Sequence, residues 1–304
     1  MEMTDRTEGL RALIRQGLQA VSQKSTTAQL GDRSTYVGMS DIGQHWECPR
    51  AVLARKVMPT PNSLERLLTL QRGHWFESGV GKALASLGLY VLPQLEINWQ
   101  HQGVPIKAHL DFVLVWGAPV NAIRILEVKS TDKLPASPHD SHLLQLHGQI
   151  GFLVKAWNKP FFSLRAEDGT LLHEKMTFPQ LCRAQLGLQL PKQAEKLSIE
   201  AWLLCLSMKD VTTFGPYTFN QAMLDTALDH AVQLWGDLTA HRAGNLSLSQ
   251  VTCAQGFYPI CSYCEYNGDC PKFPQGVHMP QWEPALEKLA ALKEQRTALD
   301  SEIK

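Results

Sequence analysis

Three apolar segments follow one another between residues 89 and 131: "LYVLPQLEINW", "VPIKAHLDFVLVW" and "AIRILEVKST". Each is rich in Val, Ile, Leu and aromatic residues, and Gly, Pro and Asn separate them. They read as consecutive strands, the second and third joined by "GAPVN". Strands this apolar need cover, and helical spacing on both sides supplies it. Residues 8–22 repeat Leu10, Leu13, Ile14, Leu18 and Val21 at helical intervals, and residues 63–88, 140–156 and 218–241 carry further helices. "AWLLCLSMKD" at 201–210 adds another buried strand. The pattern predicts an α/β chain with a central sheet between helices.

In "MSDIGQHWECPRAVLARKV", Ser40 and Asp41 suit helix caps and Pro49 a first turn, which places Cys48 at the start of a short basic helix. The closing segment "EPALEKLAALKEQRTALDSEIK" spaces Leu286, Leu289, Leu292, Leu299 and Ile303 for an amphipathic helix that docks on the chain or binds a partner. Residues 157–200 show little beyond a turn at "AEDGT". At 304 residues and 44% hydrophobic content, one large domain or two modest ones can form. The 29 basic residues balance 29 acidic ones, so contact with nucleic acid has to come from local patches. No apolar leader opens the chain and no apolar run approaches about 18 residues, which predicts a cytoplasmic protein without membrane association. In that reducing setting, seven cysteines point to metal-bound, reactive or buried thiols rather than disulfides.

The chemistry concentrates on the second and third strands. If they form a hairpin, Asp111 and Glu127 meet at one end of the sheet, and Lys129, two residues on, shares the face of Glu127. Adjacent carboxylates repel unless a proton or a cation intervenes, and Mg²⁺ or Mn²⁺ favours such oxygens. A surface reading is also open, with Asp111 in a turn and Glu127 and Lys129 an exposed pair. The apolar setting of "AIRILEVKS" favours the site.

Asp111 followed by Glu127-Val128-Lys129 resembles the D…(D/E)-x-K core of the PD-(D/E)XK nucleases. The RecB-like branch adds an Arg-Gly pair with a metal-binding His four residues beyond the Gly. Here Arg72-Gly73 is followed by Glu77 at that position, with His74 the alternative ligand. The branch also has a Gln with a Tyr four residues on, and "LLQLHGQIGF" supplies Gln145 with Gln149 in the Tyr position. The resemblance implies a restriction-endonuclease-like core with a mixed sheet and metal-dependent phosphodiester hydrolysis on single-stranded or end-bearing DNA. Glu77, Asp111 and Glu127 would hold Mg²⁺ or Mn²⁺, Lys129 would assist the water, and Gln145 would position substrate or water.

Within that branch, the CRISPR-associated protein four family holds a [4Fe-4S] cluster on one upstream cysteine and three near the end. Cys48 in "ECPRAVLARK" and the trio Cys261, Cys264 and Cys270 in "YPICSYCEYNGDCPKF" are similar in spacing. The resemblance implies a structural cluster on these four. Four thiolates also suit zinc, Cys253 is a rival ligand, and Cys182 and Cys205 read as core residues. The expected divisions are an N-terminal helix and loop at 1–39, a nuclease domain at 40–275 and a C-terminal helix at 276–304. Arg50, Arg55, Lys56, Arg66 and Arg72 form a basic strip that could track DNA, while Trp46, Trp75 and Phe76 either stack on bases or belong to the core. The family setting implies protein partners in an adaptation or recombination complex. A DNA-binding subunit without activity is the competing class.

Overall fold

Residues 3–302 are described by a computed structural model, apart from 167, 257, 259–260, 262–263 and 274–279. In chain order the elements are α1 (Met3–Leu30), β1 (Val37–Gly38), α2 (Met39–Glu47), α3 (Pro49–Val57), α4 (Leu64–Ser86), β2 (Tyr90–His101), β3 (Val104–Trp116), β4 (Ala122–Ser130) and α5 (Asp140–Ala156). There follow β5 (Phe162–Arg165), β6 (Leu171–Met176), α6 (Phe178–Leu186), β7 (Ser198–Leu206), β8 (Val211–Tyr217), α7 (Gln221–Arg242) and α8 (Glu283–Glu302). The chain divides into two compact units, Met1–Tyr258 and Pro259–Lys304. That division falls before the cysteine trio, where the sequence suggested 275.

The three apolar segments become the antiparallel meander β2-β3-β4. Gln102 and Gly103, both at positive φ, make the two-residue turn that matches the twist of β2 and β3. The sheet runs β6-β5-β2-β3-β4-β7-β8, with β1 parallel to the start of β3. β4 and β7 pair in parallel over Ala122↔Ser198 to Ser130↔Leu206, so the sheet is mixed. Its apolar positions, among them Leu92, Leu95, Leu110, Ile123, Ile125 and Leu203, are almost wholly excluded from water.

Helix α5 provides the tightest cover, burying Leu146, Ile150, Phe152 and Leu153. Phe152 stacks on Trp99 of β2 at 5.1 Å between ring centroids. α5 also meets α2 closely: a side chain at Gly43 would run into the Ser141 carbonyl oxygen, with the Gln145 Cβ 3.5 Å away.

Several local expectations change. α1 continues to Leu30 rather than ending near residue 22, and its end is held by a bond from Gln29 Nε2 to the Ala166 carbonyl at 2.8 Å. Its apolar residues Leu10, Leu13, Ile14 and Val21 are exposed. Gly38, not Ser40, is the N-cap of α2, and Asp41 receives the Gly38 N–H from inside the first turn. The poorly legible stretch 157–200 supplies β5, β6 and α6, and β8 is a half-exposed edge strand whose "VTTFGPY" lacks the apolar run of a buried strand.

Gly43→Ala should lower stability by about 2–3 kcal/mol through overpacking at a backbone oxygen. Gly148→Ala, which meets the flexible end of Met39, should cost less. Urea denaturation of the two variants checks the order.

Candidate active site

The site begins where β3 and β4 stop pairing. Their ladder runs from Trp116↔Ala122 to Phe112↔Leu126. Continued by one residue, the same register sets Asp111 opposite Glu127, but the Val128 N–H donates instead to the Asp111 carboxylate at 2.7 Å. A side chain thus takes the place of a strand partner, and the expected hairpin delivers Asp111 and Glu127 to one place.

Glu127 is 2% exposed and held by three donors. Lys129 Nζ and Gln145 Nε2 donate to its Oε1 at 2.8 and 2.6 Å, and Gln149 Nε2 donates to its Oε2 at 2.7 Å. Lys129 also donates to the Gln145 carbonyl at 3.1 Å, closing a ring of three side chains. Gln145 and Gln149 lie one turn apart on α5, so both amides face β4. Gln149 donates to the His109 carbonyl as well, at 3.0 Å, tying α5 to β3. Sequence reasoning left Gln149 without a role. Here its amide reaches the Glu127 oxygen that Gln145 and Lys129 leave open.

Glu77 comes from α4 and accepts from Gln94 Nε2 of β2, whose φ of 49° turns the side chain out of strand alternation. Nothing in the sequence marks Gln94. Burial raises the Glu77 carboxyl to about 7, and the Glu127 charge adds to the rise. Burial likewise drives Asp111 well above the ordinary carboxyl value, reinforced by the charges of Glu127 and Glu77. Burial penalises the Lys129 ammonium, but Glu127 and Asp111 outweigh it and lift its pKa. Three mutually repelling carboxylates therefore share one partly buried cation, Lys129. Among the described residues, no three His, Cys, Asp or Glu side chains form a preassembled metal-binding group.

The other expected residues are distributed as follows. His74 is exposed, whereas Glu77 is half-buried within reach of the Glu127 and Lys129 charges. Arg50 is 5% exposed, and the Lys56 side chain 6% exposed, with Nζ bound to Asp41 at 2.8 Å and to the Arg33 and Tyr36 carbonyls. These two do not belong to a solvent-facing basic strip: Lys56 neutralises a buried carboxylate. Arg55 bonds the Ala51 carbonyl, and Arg72 pairs with Asp132. Trp46 and Trp75 are exposed and Phe76 is half-buried.

Cys48 is the N-cap of α3, in the first unit, and Cys182 and Cys205 are buried as expected. In the second unit, backbone bonds from Cys264 to Cys261, Asn267 to Cys264 and Cys270 to Asn267 at 3.1–3.3 Å form successive turns, with Lys272 Nζ 3.7 Å from the Cys261 sulfur. Among the described residues none of the four cysteines is in a disulfide, and each is partly accessible.

The first unit is thus an α/β domain with a mixed central sheet flanked by helices, and a buried acidic site at the splayed end of two strands. No family model matches the chain, and no curated protein matches it. Among solved structures, that of SSO0001 shares 12% identity at a TM-score of 0.45, over 78% of this chain and 86% of that one. A likeness of that size carries no weight for the site. No helix among the described residues is long and apolar enough to cross a membrane.

Two outcomes follow from the geometry. Gln149→Leu leaves a Glu127 oxygen and the His109 carbonyl short of a donor and should cost about 1–3 kcal/mol in urea denaturation. Because the folded protein holds the Glu77 proton up to about 7, against an ordinary 4.5, its contribution to stability is complete below the ordinary value and fades as pH rises through 7. In chelator, wild type should lose stability between roughly pH 5 and 8, and Glu77→Gln should flatten that slope.

Proposed function

We propose that the chain is a Mg²⁺- or Mn²⁺-dependent deoxyribonuclease that hydrolyses phosphodiester bonds in single-stranded or end-bearing DNA. In this reading its sheet is a restriction-endonuclease-like core, and Cys48, Cys261, Cys264 and Cys270 hold a structural [4Fe-4S] cluster. It works in the cytoplasm, in CRISPR spacer acquisition or DNA recombination and processing, with partners from such a complex. The observation that carries the reading is the bonded group of Glu127, Lys129 and Gln145 beside Asp111 at the splayed ends of β3 and β4.

The donor chemistry fits the metal. Glu77, Asp111 and Glu127 are hard oxygen donors, and the Glu127 charge raises the other two, the condition that a divalent cation relieves. Bound there, the ion would acidify a water and stabilise phosphoryl oxygen charge. Lys129 keeps its proton and presents a positive charge at the site, suited to an oxygen that gains negative charge during displacement. Gln145 holds that ammonium by its carbonyl and Glu127 by its amide, fixing both before substrate arrives. For the cluster, four cysteine sulfurs are a donor set that fits iron-sulfur chemistry and also zinc.

A DNA-binding subunit without activity has one observation in its favour: both Glu127 oxygens are already engaged by three side-chain donors. Cleavage of labelled single-stranded DNA with Mn²⁺ separates the two. The nuclease reading expects cleavage that chelator abolishes and that Lys129→Ala lowers by about 10²–10³-fold. Inert protein with its metals loaded leaves the binding subunit. A brown preparation absorbing near ~400 nm and containing iron supports the cluster, and colourless protein with stoichiometric zinc rules it out.

A further inference from the structure

We propose that the C-terminal end of β4 carries a phosphate-binding subsite formed by Arg72, Thr131 and His142, which takes a phosphodiester of the substrate next to the one being cleaved. The identity of the ligand rests on the nuclease reading, whereas the site itself rests on three unsatisfied polar atoms.

Arg72 Nε, Thr131 Oγ1 and His142 Nδ1 are each shielded from solvent and have no hydrogen-bond partner among the described residues. Leaving one such group unpaired costs about 1–3 kcal/mol, so three of them on segments that converge on the end of β4 point to a ligand there. The three arrive there from different elements. Thr131 directly follows β4, fixed by its N–H to the Leu206 carbonyl at 2.8 Å. α4 lies against the same strand end, where a Cβ on Gly73 would be 3.8 Å from Ser130 Oγ, and Arg72 reaches the next residue along, Asp132. His142 stands one turn before Gln145 on α5, and its ring lies within the field of the Lys129 charge.

The chemistry of the set selects an anion. Guanidinium, hydroxyl and imidazole each offer an N–H or O–H, and together they bring one fixed positive charge, the complement of a phosphodiester monoanion. Burial, with the Lys129 charge adding to it, lowers His142 to about 3, so the ring is neutral near pH 7 and can donate from Nδ1 without adding charge. Asp132 already shows that the guanidinium takes an oxyanion: its carboxylate occupies Arg72 while the side chain is 86% exposed, so an incoming phosphate can displace it. Thr131 lies two residues beyond Lys129 and His142 within the field of its charge, so a ligand held by them would lie next to the phosphate being cleaved.

Fluorescence anisotropy with a labelled twelve-residue oligothymidylate, in EDTA so that no cleavage occurs, tests the proposal. Thr131→Val and His142→Ala should each weaken binding about 5–10-fold, a loss of one hydrogen bond to a charged ligand. Asp132→Asn should tighten it several-fold by removing the competing carboxylate, a gain that damage to the fold cannot imitate. Inorganic phosphate should displace the oligonucleotide from wild type and less well from Thr131→Val. If the variants change only inorganic phosphate binding, the site stands with free phosphate as its ligand. Binding within twofold of wild type in all three variants, for both probes, overturns the subsite. Variant effects on binding in a protein that never cleaves DNA would leave the subsite and remove the nuclease reading; cleavage with unaltered variants would do the reverse.

Discussion

The centre of this chain depends on one interruption of a β-ladder. β3 and β4 pair down to Phe112 and Leu126 and then part, and the Val128 N–H turns to the Asp111 carboxylate. Had the ladder continued, Asp111 would be one more strand residue and its carboxylate free to turn to solvent. Because it parts, a carboxylate is fixed by a backbone donor beside a second carboxylate on the neighbouring strand. Period-two alternation then adds Lys129 on the same face. The rest of the site is a response to this arrangement. α5 supplies two amides, α4 a third acid, and the apolar sheet keeps water from screening their charges.

The cost of that response is electrostatic. Asp111 and Glu77 resist ionisation because they lie desolvated next to Glu127, and among the described residues Lys129 is the cation that offsets the group. Elsewhere the unit treats buried charge differently. Asp41 is matched by Lys56 and Arg33, and Glu96 by His109 and Lys107, with Asn98 bonding the same carboxylate. Asp41 and Glu96 accordingly hold depressed pKa values despite their burial. Buried acids matched by cations read as framework; buried acids left in excess of cations read as a site.

Much of this was legible in the sequence, for identifiable reasons. The meander shows because β-branched and aromatic runs are bounded by turn residues, and Asp111, Glu127 and Lys129 show because each interrupts such a run. Gln145 follows from the resemblance. Gln94 and Gln149 do not, since an amide carries no charge and its value here lies in which carboxylate it reaches. The basic strip shows the opposite failure. Counting Arg50 and Lys56 as surface charge ignores that a lysine stem can run inward to a buried aspartate, and nothing in "RAVLARKV" tells an inward from an outward cation. The edge strands β6 and β8 escaped because they are mixed in polarity, so alternation is faint, and β5 because its four residues are too few to show a period.

The close crossing of α2 and α5 at Gly43 joins two parts of the chain that the sequence keeps apart. α2 is nine residues long, about 13 Å of rigid rod. Cys48 caps one end, and along its length it bears on the backbone of Ser141, one turn ahead of Gln145. With no Cβ at Gly43 there is no compressible side chain between the two helices. The helix that Cys48 ends and the helix that carries Gln145 are therefore seated backbone to backbone, so the spacing between them is set by main-chain atoms and not by the choice of a side chain.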